Sequence, residues 1–371
     1  MRIQISWTIL TIALGLTTVN AQKVESTIWG QTPEGEDVQL FTLTNANGLT
    51  ARVMSLGATL VGVDAPDRDG NFENVTLHFD DLETFLTERK VFGSTIGRFG
   101  NRISGGGFEI DGTRYDLETV NQRNGVHIHG GKTGFQWQNW EAKALKSGVL
   151  FSLTSEDGHE GYPGRLTVNL TFTLTDDNEL VLSYSATTDK PTHVNLTNHA
   201  YWNLGGADSG DVLDQQLLVS AEQRLAVDEH QVPTGELVDV ANTAFDFREV
   251  HTMGERIADA DRGYDHCYVI EGESGKLRLA ARVTDPKSGR IMEVRTTEPG
   301  IQVYTMNIGE KTIEGGGGAT YAARHAVCLE CQKFPDAPNQ PDFESTLLRP
   351  GEIYRQVTAH KFSIAETKPE D

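Results

Sequence analysis

In the stretch His193-Val-Asn-Leu-Thr-Asn-His-Ala-Tyr-Trp-Asn-Leu204, two kinds of side chain alternate. On extended backbone successive side chains point to opposite faces. Val194, Leu196, Ala200, Trp202 and Leu204 then share one face, interrupted by Asn198, while His193, Asn195, Thr197, His199, Tyr201 and Asn203 share the other. The polar face has no Lys or Glu, which suits a pocket for hydroxyl groups better than a face turned to bulk water. A second segment, Cys328-Leu-Glu330-Cys-Gln332, sets Val327, Leu329 and Cys331 on an apolar face and leaves Glu330 opposite, with Cys328 and Gln332. A carboxylate on an otherwise apolar strand is either an edge charge or a base. Asp265 opens another apolar run, through Cys267, Val269 and Ile270, and places a second carboxylate at a strand mouth. Free Glu titrates near ~4.3 and free His near ~6.5. Brought together they make a base and an acid, provided a nearby carboxylate keeps the imidazole charged.

Other residues of reactive type carry less. His127 and His129 share a face in Val126-His-Ile-His-Gly-Gly131, but a metal site needs further ligands that the sequence does not gather, so no metal is expected. Gly130 and Gly131 point instead to close backbone approach. Cys328 and Cys331 form a CxxC within a strand-like run. Residues three apart on a strand lie roughly 10 Å apart on opposite faces, and a disulfide needs Cα atoms within about 7 Å. Both are expected as free buried thiols, as is Cys267. Gly315–Gly318 lacks the Lys-Ser/Thr and helix of a phosphate-binding loop, and is expected as a flexible loop.

The elements that must hold these groups are strands. Leu166, Val168, Leu170, Phe172 and Leu174 alternate with Thr167, Asn169, Thr171 and Thr173; Asp176-Asp177-Asn178 turns the chain, and Leu180, Leu182, Tyr184 and Ala186 resume the period. Similar runs recur at Val38–Thr44, Leu49–Met54, Thr59–Val63, Leu277–Val283 and Met292–Thr297, punctuated by many of the 38 glycines. Only Leu82–Thr87 reads as helical. The pattern predicts an all-β fold, a large antiparallel β-sandwich or barrel with few short helices.

Met1–Arg2, the apolar run Ser6–Leu16 and the small residues Val19-Asn-Ala21 read as a cleaved export signal, too short to span a membrane and with no following Cys for a lipid anchor. The expected organisation is a signal peptide, 1–21, and one domain, 22–371, of 371 − 21 = 350 residues, periplasmic or secreted. A formal net charge of −21 disfavours nucleic acid and anionic membrane surfaces as partners, and repels phosphorylated metabolites.

Several segments, in order, resemble the aldose 1-epimerase (galactose mutarotase) family: Gly97-Arg-Phe-Gly-Asn-Arg-Ile103, His129-Gly-Gly131, Gly161-Tyr-Pro-Gly164, Pro191 to Leu204, Thr296-Thr-Glu-Pro-Gly-Ile-Gln302, Cys328-Leu-Glu330 and Leu348-Arg-Pro-Gly-Glu352. The likeness runs from about Val38 to Phe362. It implies a large antiparallel sandwich with a free aldose in a cleft on one sheet, and anomer interconversion by acid–base ring opening without a cofactor. Residue by residue, it implies His199 as proton donor and Glu330 as proton acceptor, with Asn101, Arg102, His129, Tyr201, Asp265 and Gln302 binding the sugar. Met306 stands where the family generally has Gly, which bears on the pocket wall near Asn307. Two other readings of the residues are a glycoside hydrolase using Asp265 and Glu330 as its carboxylate pair and a non-catalytic sugar-binding module. A hexose-6-phosphate epimerase would need a basic cluster for the phosphate.

Overall fold

The computed structural model describes residues 22–366. The expected export signal, residues 1–21, lies outside them. Leu166, Val168, Leu170, Phe172 and Leu174 are buried and the residues between them half-buried. That alternation fixes the register of Leu166–Leu174 against Glu179–Thr188, with Leu174 opposite Leu180 and Leu170 opposite Tyr184. A one-residue slip would turn every apolar side chain to solvent. On this hairpin a nine-stranded antiparallel sheet is built, in the order Glu141–Ala144, Gly148–Ser155, Leu166–Leu174, Glu179–Thr188, Tyr354–Ile364, Arg290–Thr296, Arg278–Thr284, Gln216–Val219 and His251–Thr252.

Facing it is a six-stranded antiparallel sheet, ordered Tyr201–Trp202, Val327–Gln332, Gly300–Tyr304, Asp265–Val269, Gln223–Val227 and Pro233–Asp239. One core joins the two layers. Val168, Leu170, Leu182, Val283, Met292 and Val294 from the first meet Tyr268, Ile301, Val303, Val327, Leu329 and Cys331 from the second. Burying each such side chain stabilises the fold by roughly 1.5–3 kcal/mol, so the inward face of the six-stranded sheet is committed and its outward face is free for polar groups. A five-stranded meander, Lys23–Gln31 through Phe72–Asn74, adds Phe41, Leu43 and Val53 to the same core.

The expected antiparallel sandwich is therefore the observed one. The only α-helix among the described residues, Leu82–Glu88, falls where the helical reading put it, and the Asp81 side chain caps it by accepting from the Thr84 N–H at 2.7 Å. Cys267, Cys328 and Cys331 are free and buried. Gly316–Gly318 forms a 3₁₀ turn against His78, whose carbonyl accepts the Gly316 N–H.

The stretch 193–204 departs from the reading as one strand. It is three short pieces, Thr192–His193, Thr197–Asn198 and Tyr201–Trp202, each paired with a different segment. Its asparagines account for the breaks, because their amides serve backbone groups of other segments. Asn195 donates to the Lys333 carbonyl and accepts from the Lys333 N–H, and Asn198 donates to the Gly93 carbonyl. The apolar face survives: Val194, Leu196, Ala200, Trp202 and Leu204 all lie in the core.

Candidate active site

The outward face of the six-stranded sheet carries the chemistry. Tyr201 lies opposite Cys328, Cys328 opposite Tyr304, Glu330 opposite Gln302 and Asp265 opposite Tyr304, so all six side chains share one face by register. His199 enters from just before Tyr201, its backbone clamped by Ser94 and Gly93. Its Nε2 lies 3.6 Å from Glu330 Oε1. Tyr201 stacks on the imidazole, centroids 5.0 Å apart and planes 8° apart, while His129 meets it edge-on at 5.2 Å.

Two loops complete the cavity. Asn101 and His129 both adopt left-handed backbone, φ 59° and 50°, a conformation that costs a non-glycine residue of order 1–3 kcal/mol. A reciprocal pair holds them there: the His129 N–H donates to the Asn101 carbonyl at 2.9 Å, and the Asn101 N–H donates to His129 Nδ1 at 3.2 Å. Gly130, φ 73°, follows because a Cβ there would stand 1.8 Å from the Gly97 carbonyl oxygen. Arg102 then reaches Asp265 Oδ2 at 3.2 Å and Asn101 Oδ1 at 3.2 Å, and Gln302 donates to Asp265 Oδ1 at 2.6 Å. The structure thus links His199, Glu330, Asn101, Arg102, His129, Tyr201, Asp265 and Gln302 in one network.

The HxH pair needs correction. His127 and His129 do not share a face, because the left-handed turn at His129 breaks the alternation. His127 packs edge-on against Tyr162, centroids 5.6 Å apart, and its Nδ1 donates to the Thr119 carbonyl at 2.7 Å. The polar face of 193–204 divides too. His199 and Tyr201 reach the cavity, whereas His193 bonds Thr346 and Asn203 binds the Gly210 and His325 carbonyls.

Burial sets the protonation of the central pair. It lowers His199 to about 4, against the opposing pull of the Asp265 charge, and raises Glu330 to about 8, where the Asp265 charge adds and Arg102 subtracts. The order is the reverse of the free side chains. At neutral pH each group by itself favours its uncharged form, so the pair holds one proton. Passing that proton from Glu330 to His199 creates a carboxylate and an imidazolium without exchange with solvent. Glu330 Oε2 and His199 Nδ1 have no hydrogen-bond partner among the described residues. Burial, with His199 and Arg102 nearby, also holds His129 well below the usual histidine range, hence neutral. Since its Nδ1 accepts from Asn101, the ring proton sits on Nε2.

Donor atoms of His129, His199 and Glu330 lie within 4.8 Å of one another, a set whose types suit a divalent cation. The tautomer argues against that use: with Nδ1 bonded and Nε2 protonated, His129 has no free lone pair to give a metal.

Sequence reasoning missed two residues. Tyr304 lines the cavity edge-on to Tyr201, centroids 6.3 Å apart, and could have been found as the residue two after Gln302 on the same strand face. Asp336 is fully buried and accepts from Ser104 N–H and Oγ–H at 2.8 and 2.9 Å, Asn339 Nδ2 at 2.9 Å and Gln340 Nε2 at 3.1 Å. Its own N–H donates to the Arg102 carbonyl at 2.8 Å. Asp336 therefore fixes the loop carrying Arg102, and no local pattern announces it.

The Aldose 1-epimerase family model matches residues 39–361. Galactose mutarotases of Homo sapiens and Mus musculus are each 42% identical over 344 residues, covering 92% of this chain and 99% of the relative. Aldose 1-epimerase of Escherichia coli K12 is 36% identical over 343 residues, covering 90% and 97%. Among solved structures, an aldose epimerase homologue from C. elegans superposes with a TM-score of 0.81 at 29% identity, covering 93% of this chain and 100% of that one.

Proposed function

The chain belongs to the aldose 1-epimerase family, and from that premise we infer a mutarotase, an isomerase interconverting the α and β anomers of free aldoses such as glucose and galactose. The observation that carries the reading to individual residues is the buried His199–Glu330 pair, 3.6 Å apart, with His199 Nδ1 and Glu330 Oε2 free of hydrogen bonds among the described residues. With the shared proton on His199, Glu330 removes the proton of the anomeric hydroxyl. The C1–O5 bond breaks as the C1 carbonyl forms, and His199 delivers its proton to O5. The aldehyde turns about C1–C2. The O5 hydroxyl then attacks the other face of C1, returning its proton to His199 while Glu330 protonates O1. Protons alone are exchanged, so the chemistry requires no redox or electron-sink cofactor.

The surrounding groups bind and stabilise. His129 Nε2–H and the Arg102 guanidinium are donors for charge developing at ring and carbonyl oxygens, and act strongly where water is excluded. Asp265, Gln302 and Asn101 hold hydroxyls, and Tyr201 walls the site behind His199. Polarimetry of freshly dissolved α-glucose, α-galactose and xylose with purified protein tests the reading. A catalysed approach to the anomeric equilibrium is expected, and an unaccelerated rate for all three would refute it.

The site of action is proposed to lie outside the cytoplasm, on the strength of the positive, apolar and small-residue order of Met1–Ala21. Mass spectrometry of native protein should find Gln22 as the first residue; a retained Met1–Ala21 would overturn the assignment.

A further inference from the structure

The segment 155–164, which ends in Gly161-Tyr-Pro-Gly164, takes no part in the chemistry above, yet both loops of the active site are fastened to it. The first is tied through Arg98, three residues before Asn101 and only 2% exposed. Its guanidinium donates to the Pro163 and Gly164 carbonyls at 2.8 Å each, and to the Ser155 carbonyl and Oγ at 3.0 and 2.7 Å. The second is tied through Glu160, 4% exposed, which accepts on one oxygen from the Thr133 N–H at 2.7 Å and the Thr133 Oγ–H at 2.6 Å. Its other oxygen abuts Gly131, where a Cβ would stand 2.2 Å from Oε2.

What Glu160 holds is the turn that presents His129. The Gly131 N–H donates to the Ile128 carbonyl at 3.0 Å, and the two residues between, His129 and Gly130, both have positive φ. Asn101 grips this turn at its crown, while Glu160 grips its exit at Gly131 and Thr133. Glu160 itself has left-handed backbone, φ 54°, between Gly158 and Gly161 at 86° and 90°. That conformation costs a non-glycine residue of order 1–3 kcal/mol and persists only where the surroundings impose it. Here it aims the carboxylate at the turn. Resting on the mutarotase reading, we propose that Glu160 is a positioning residue: through Thr133 and Gly131 it sets where His129 Nε2–H meets the charge developing on the sugar. It does not touch the sugar. A displacement of about 1 Å in such a group can cost roughly 10²-fold in rate, and Asp336 does for Arg102 what Glu160 does for His129.

Two variants separate reach from charge. E160Q keeps the length and can accept both Thr133 donors on its amide oxygen, whereas E160D keeps the charge but falls one methylene short. With α-glucose, E160D should lower kcat at least about tenfold, with KM within about threefold and the pH profile unmoved. E160Q should restore both constants to within about threefold of wild type. In an H129N background, where Asn tolerates the left-handed turn, E160D should cost less than about twofold more, because the group it displaces is gone. Histidine ¹⁵N spectra of the sugar-free proteins, with H129N identifying the signal, should show one sharp Nε2–H form of His129 in wild type and E160Q, and a shifted or broadened one in E160D. Normal kcat in folded E160D, an impaired E160Q beside an active E160D, or an equal loss in the H129N background would each overturn the role. Should E160D not fold, T133V at an exposed position removes the hydroxyl bond alone and should cut kcat about threefold; wild-type kcat and an unmoved His129 signal in T133V would overturn it equally. Failure of the mutarotase reading looks different, since wild-type protein would leave α-glucose unaccelerated while the His129 signal still followed Glu160.

Discussion

Glu330 and Asp336 are both carboxylates withdrawn from solvent, 2% and 0% exposed, six residues apart in sequence, and they are treated in opposite ways. Asp336 accepts four hydrogen bonds from three residues. Glu330 has a histidine at 3.6 Å and one oxygen with no hydrogen-bond partner among the described residues. A buried carboxylate whose lone pairs are all occupied by donors is tied into the scaffold; Glu330, left underbonded, is raised in pKa by burial and is free to take or give a proton. The Arg102–Asp265 pair lies between these extremes, charged and bonded yet lining an open cleft. The comparison predicts that substitutions on this face should sort by how much bonding each residue already has.

The largest effect belongs to the underbonded pair. Glu330→Gln keeps size and hydrogen bonding but cannot accept the proton, and His199→Asn keeps polarity but loses the acid. General acid–base groups contribute about 10²–10⁴-fold, so each change should lower kcat at least a hundredfold, about 2.7 kcal/mol of barrier. The double variant should be little worse than the poorer single one, because donor and acceptor serve one coupled event. A near-normal kcat for Glu330→Gln would move the base elsewhere, to Asp265 first.

Next in size is the pH profile. The active pair holds one proton. Below the shifted His199 value, about 4, a second proton binds and the base is lost; above the shifted Glu330 value, about 8, the last proton leaves and the acid is lost. The kcat/KM profile should therefore be flat between these limits and fall about tenfold per pH unit outside them. An acid limb near the usual histidine value would mean that the imidazole titrates as though exposed, and the burial argument would fail.

Asp336→Asn should act through position rather than chemistry. Replacing one oxygen by an amide opposes a donor to a donor at Gln340, and loss of charge-assisted bonds costs roughly 1.5–3 kcal/mol of stability. The Arg102 loop loosens with it, so KM should rise by roughly tenfold, the equivalent of about 1.4 kcal/mol, while kcat and both pH limbs stay in place. Loss of stability with unchanged KM would make Asp336 a residue of the fold alone.

Much of this was legible in the sequence because alternation on a strand is a local property. Val327, Leu329 and Cys331 against Cys328, Glu330 and Gln332 could be read from six residues, and the antiparallel neighbour Gln302 follows the same period. What could not be read depends on chain far away or on φ. His129 left the face of His127 because its backbone is left-handed. Asp336 matters through Ser104, more than two hundred residues distant. The order of the His199 and Glu330 pKa values follows from burial, which no free-residue value contains. The segment 193–204 preserved its apolar face while its polar face split between site and scaffold, since asparagines that bond backbone and histidines that meet substrate look alike as letters.

The smallest expected effect is the most direct probe of the strand itself. Cys331 is adjacent to Glu330 in sequence, but its side chain points into the core between the sheets. Cys328, two residues before Glu330, faces the cavity side between Tyr201 and Tyr304. Proximity along the chain therefore predicts that Cys331 matters more, and alternation predicts that Cys328 does. In C331S the new hydroxyl replaces a buried thiol beside the Thr296 and Thr358 hydroxyls, which bond each other at 3.1 Å and can take it into their network. The cost should stay near ~1 kcal/mol of stability, with kcat within about threefold of wild type, the range left when no reacting group moves. C328S places its hydroxyl under the two tyrosines that wall His199, and should cost more activity than C331S at equal or smaller loss of stability. Polarimetric kcat and thermal unfolding of the two variants side by side decide it. If C331S loses more activity than C328S, the face assignment that separates Glu330 from the core is wrong, and with it the contrast between the underbonded Glu330 and the fully bonded Asp336 in the loop that follows its strand.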